Sequence, residues 1–60
     1  MTVYVNDRPV HIVRAMSVRH ALLAAGLLKQ VGTGRKVYDE WGNEIGLDGA
    51  LADQARIYVR

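Results

Sequence analysis

The sequence predicts an α+β roll: a mixed sheet of four to five strands with one helix packed on one face, in the order ββαβ(β)β. Three observations carry that prediction. Both ends of the chain alternate apolar and polar residues with a period of two, one central segment repeats with the helical period, and the stretches between are rich in turn residues. Sixty residues make one domain, 1–60, because a chain this short still exposes about 40% of its unfolded-state surface when folded.

Met1, Val3 and Val5 alternate with Thr2, Tyr4 and Asn6, the pattern of a half-buried strand. Asn6-Asp7-Arg8-Pro9 supplies turn chemistry, and the β-branched run Val10 to Arg14 returns as the second arm of a hairpin, with Pro9 tolerated at its start. Val18, Ala21, Leu22 and Ala25 then follow i, i+3, i+4, i+7, while Arg19 and His20 fall on the solvent side. A helix is expected near Ser17 to Ala25, with the Ser17 hydroxyl capping the first turn and Gly26 closing the end in a left-handed conformation. Leu27 and Leu28 should pack back onto it or close the bottom of the core. Lys29 to Lys36 holds two glycines and three cations and reads as an exposed loop. Val37-Tyr38-Asp39 is a short strand, Glu40 to Asn43 a tight turn, and Glu44-Ile45-Gly46 a returning strand. Two leucines, Leu47 and Leu51, flank an Asp-Gly turn and can plug a core edge, Asp53-Gln54 reverses the chain, and Arg56 to Arg60 alternates again with Ile57 and Val59 on one face. The expected core is Val3, Val5, Ile12, Leu22, Ala25, Ile57 and Val59.

Half the residues are hydrophobic and 23% are charged, a balance that suits a soluble globule. With no cysteine there is no disulfide framework, thiolate zinc site or cysteine-held iron–sulfur cluster, and burial alone must hold the fold. His11 and His20 sit on different elements without metal-ligand spacing, so no metal or other cofactor is expected. Ser17 is the sole serine and is committed as a cap, which leaves no nucleophile of the Ser-His-Asp kind. Asp39, Glu40, Glu44 and Asp48 read as solvated turn residues, since paired-carboxylate catalysis needs an enclosing cleft. The apolar stretch Ala21 to Leu28 is far below the ~20 residues that span a bilayer. A cytoplasmic protein with no membrane contact is the expectation, and the sequence does not fix the oligomeric state.

Met1 to Asn6 as first strand, Ser17 to Leu22 as helix start and Leu51 to Val59 as closing turn and strand together resemble the β-grasp fold of the ubiquitin-like superfamily over nearly the whole chain. The closure is similar to the Leu-x-Asp-Gly-Asp-x-Ile-x-Val pattern of bacterial sulfur carriers and soluble-ligand-binding β-grasp domains, with Gln54 and Ala55 standing where that pattern has Gly and Asp. Sulfur carriers and ubiquitin expose a Gly-Gly end, whereas this sequence closes on Tyr58-Val59-Arg60, and ferredoxins of the same fold need four cysteines. The resemblance therefore implies a small non-catalytic interaction module. The alternative is a sulfur-carrier or protein-modifier relative whose terminus is made active by trimming or extension.

If Val3, Val5, Ile57 and Val59 point inward, alternation forces Tyr4, Arg56, Tyr58 and Arg60 onto the opposite face of the sheet, joined by His11 and Val13 from the neighbouring strand. Tyrosine and arginine are good strand-surface residues and are also enriched at binding hot spots, so this face is the expected contact surface for another protein. Single-stranded nucleic acid is the weaker alternative: bases could stack on Tyr4 and Tyr58 with Arg56 and Arg60 on phosphates, but a net charge of +2 argues against tight binding. Trp41 is either a lid over the core edge or an exposed anchor. Arg35 and Lys36 belong to a Gly32–Lys36 stretch that lacks phosphate-loop spacing and leads into a strand, so it reads as a basic connection; whether it holds an anion stays open.

Overall fold

Asn6 and Asp7 decide the first hairpin. In the computed structural model, which describes all sixty residues, both have positive φ, 51° and 68°, as a two-residue type I′ turn requires. β1 (Thr2–Val5) and β2 (Arg8–His11) therefore pair antiparallel with Val5 opposite Arg8, and the turn is shorter than the four residues expected. Met1 and Ile12 exchange two backbone hydrogen bonds, so alternation leaves Pro9, opposite Tyr4, at a non-hydrogen-bonded position of an edge strand. No ladder bond is lost there, and the edge is short of one donor for further pairing.

The first-turn amides of α1 (Val18–Ala25) are satisfied from far along the chain. Val18 and Arg19 donate to the carbonyls of Gly49 and Leu47 at 3.1 and 2.9 Å, and Ser17 bridges to Ala50. Ser17 stands at the N-cap in a capping box with His20, whose Nδ1 accepts from the Ser17 amide at 3.1 Å and lies 3.2 Å from the Ser17 hydroxyl. At the other end Gly26 is left-handed (φ 75°); its amide reaches Leu23 and that of Leu27 reaches Leu22, a Schellman closure.

The segment expected to be all loop contains a second helix, α2 (Leu28–Gly32), so the expected single helix becomes two. Leu28 and Val31, one turn apart, pack against the core while Lys29 and Gln30 stay exposed, and the Thr33 hydroxyl closes the turn on the Gln30 carbonyl at 2.8 Å. β3 (Val37–Asp39), β4 (Glu44–Ile45) and β5 (Arg56–Val59) complete a five-stranded mixed sheet of order β2-β1-β5-β3-β4. β5 lies at its centre, parallel to β1 and antiparallel to β3. Tyr4 and Asn6 donate to the Ala55 and Ile57 carbonyls, and Asn6 Oδ1 accepts the Val59 amide at 2.9 Å, so the first turn is tied to the last strand.

One face of the sheet carries the core: Val3, Val5, Val10, Ile12, Val37, Ile57 and Val59 meet Val18, Ala21 and Leu22 of α1. Ala25, expected in that core, is only half-buried, because it lies in the last turn of α1 near the rim. Leu22 is fully buried and is among the largest side chains that are. α1 leans on β1 and β2. Leu47, Leu51 and Ala55, on the irregular connection between β4 and β5, are half-buried against the same core. No helix is long and apolar enough to cross a membrane.

Candidate functional site

The face of the sheet away from α1 is open, and register decides what it shows. Tyr4 lies beside Arg56 on the parallel pair and Tyr38 lies opposite Tyr58 on the antiparallel one. Beyond the strand ends Arg60 and Lys36 exchange two backbone hydrogen bonds, each 2.9 Å, which carries the ladder one step further. All three tyrosines of the chain therefore stand in one surface with Arg56, Arg60 and Lys36.

The cations lie on the rings. The Arg56 guanidinium sits 4.5 Å from the centroid of Tyr4, and that of Arg60 sits 5.5 Å from Tyr58 and 5.9 Å from Tyr38. Cation–π contacts of this kind contribute about 0.5–1 kcal/mol when exposed, and the three tyrosines are half-buried. Two carboxylates flank the array: Asp7 accepts from the Tyr58 hydroxyl at 3.3 Å and lies 3.6 Å from Arg56, and Glu44 lies 3.7 Å from Lys36. Arg60, between the Tyr38 and Tyr58 rings, makes no ion pair.

Tyr4, Arg56, Tyr58 and Arg60 are thus brought together as the alternation predicts. His11 shares their face but stands on the edge strand, where its Nδ1 is 3.0 Å from the Thr2 hydroxyl. Val13 does not belong to the face: β2 ends at His11, and Val13, 59% exposed, has turned off the sheet with its carbonyl accepting from Met16. Tyr38 is the member that sequence reasoning missed. Its signal was the buried Val37 next to it, which sets the parity of β3 and puts Tyr38 outward. Arg35 stays exposed, its amide turned back to the Gln30 carbonyl. No three His, Asp or Glu side chains converge on a common point.

A second aromatic feature lies at the far end of the sheet. The Asp39 carboxylate accepts the amides of Trp41 at 3.0 Å and Asn43 at 2.8 Å, and Gly42 takes φ 84°, so the β3–β4 turn is locked from within. Trp41 stands 77% exposed on that turn, which corrects the lid reading in favour of the exposed one. It borders a cleft of about 370 Å³ with Ile45, Leu51, Ala55 and Ile57 in its walls and Asp39, Glu40 and Asp53 among its polar residues. Asp53 accepts the Thr2 amide at 3.0 Å, and that bond, foremost, holds its carboxyl below the ordinary carboxylate value. Compared with protein-family models, with curated proteins and with solved structures, the chain matches none of them.

Proposed function

We propose that the chain is a β-grasp module that works by holding another protein against its open sheet face, without chemistry of its own. The strand order, with β1 and β5 parallel at the centre and α1 against one side, supports the β-grasp reading. So does Gln54, whose φ of 67° is the left-handed geometry for which the resembling closure pattern carries glycine. The observation that carries the functional reading is Arg60: an unpaired guanidinium held over two tyrosine rings on paired strands, with its N–H edges free for a carboxylate. The partner is accordingly a protein that brings an acidic side chain to this face.

Nucleic acid fits the same surface less well. Arg56 already lies on the ring of Tyr4, so a base could stack there only by displacing it. Titration with the peptide acetyl-Leu-Glu-Leu-Glu-Leu-amide, followed by backbone amide shifts, tests the reading. Shifts at Tyr38, Tyr58 and Arg60 that weaken with added salt and with Arg60→Ala are expected. Shifts elsewhere, or binding indifferent to Arg60, would overturn it, and tighter binding of a short oligothymidylate at the same residues would transfer the face to nucleic acid.

A further inference from the structure

The geometry points to a second binding site, independent of the open face: the cleft beneath Trp41, which takes a basic protein segment by laying a guanidinium on the indole and an aliphatic side chain between Ile45, Leu51 and Ala55. Trp41 is the most exposed large apolar side chain of the chain, yet its turn is not loose. The Asp39 carboxylate fixes the backbone at Trp41 and at Asn43, so the indole is presented at little cost in ordering. Beside it the cleft offers apolar walls that α1 does not cover.

Charge selects the occupant. Glu40 makes no hydrogen bond and no ion pair, whereas the Asp53 carboxylate is committed to the Thr2 amide and the Gln54 side chain and lies near the positive amino terminus. Arg56 contributes to the wall, but its guanidinium lies over Tyr4 and toward Asp7 on the other face of the sheet. No cation of the chain therefore answers Glu40, and an incoming arginine would meet the indole face and that carboxylate together. Cation–π and exposed ion-pair energies are each of modest size, so a transient contact is expected.

Trp41 is the only tryptophan, so its selectively excited emission reports this cleft alone. Titration with acetyl-Leu-Arg-Leu-Arg-Leu-amide should shift that emission to saturation, and the glutamate counterpart should leave it unmoved. Glu40→Gln should weaken the arginine peptide roughly two- to fivefold, the range of an exposed ion pair, and Tyr58→Ala should not change it. In Trp41→Leu, read by amide shifts at Ile45 and Ala55, the affinity should fall again. An equal response to both peptides, no response to the arginine peptide, or a response abolished by Tyr58→Ala would each overturn the proposal.

Discussion

The open sheet face and the Trp41 cleft both show aromatic side chains to water, but they are built on opposite terms. On the face, each tyrosine ring lies beside an arginine from the central strand or its end, and two flanking carboxylates complete the array. The rings are already satisfied by their own neighbours. What the face still offers a partner is the edge of a guanidinium rather than a bare ring, and hence a preference for carboxylates. At the cleft the indole has no such neighbour, the nearby unpaired charge is negative, and the supporting bonds come from within the turn. Position in the sheet explains the contrast: register on long-range ladders stacks side chains of adjacent strands, whereas a hairpin tip has no adjacent strand to stack on.

Removing what both regions stand on has the largest effect. Leu22→Ala empties a fully buried site between α1 and the sheet and should cost about 2–5 kcal/mol, read as a lowered denaturant midpoint. An unchanged midpoint would mean that α1 does not carry the sheet. Next comes Tyr58→Ala, which takes away one of the two rings under Arg60. It should weaken the acidic peptide by about 1–2 kcal/mol and leave the tryptophan response to the basic peptide alone; equal losses at both would merge the two regions into one.

Gln54→Gly acts at the turn that lines the cleft and donates its amide to the Thr2 carbonyl. A non-glycine residue in the left-handed region costs about 1–2 kcal/mol, and glycine's own entropy returns about 0.5–1 kcal/mol of that. Stability should therefore rise by roughly 0.5–1 kcal/mol, with acidic-peptide binding unchanged. The smallest effect belongs to Asp53, whose carboxyl is lowered in the fold chiefly by the Thr2 amide. Its contribution is present above the unfolded value near 3.8 and is lost as pH falls through the lower folded value. Asp53→Asn should thus be less stable than the wild type at neutral pH and converge with it in acid. A constant difference across that window would show that the Thr2 contact does not depend on the charge.

The two regions also differ in how far the sequence foretells them. Period-two alternation at Tyr4, Arg56 and Tyr58 carries over to the structure because their strands are long enough for parity to be read. Tyr38 escapes because β3 has only three residues, and Val13 is wrongly included because counting in twos from His11 assumes a strand that runs on past Ile12, where pairing stops. α2 is missed for a related reason: its apolar pair Leu28 and Val31 spans a single turn inside a segment of loop-like composition. Beside the Ser17–His20 capping box, the first-turn amides of α1 find Gly49 and Leu47, a partnership that no local pattern announces. Trp41 could fold inward or stand out with the same sequence, and only the direction of the Asp39-locked turn decides between them.

The central claim, two surfaces of opposite preference on one small sheet, is tested most directly by mapping amide shifts for the two charge-reversed peptides on the same wild-type sample. The glutamate peptide should move Tyr38, Tyr58 and Arg60 and spare Trp41 and Ile45, and the arginine peptide should do the reverse. Both peptides moving one common set of residues, whichever set it is, would contradict the account.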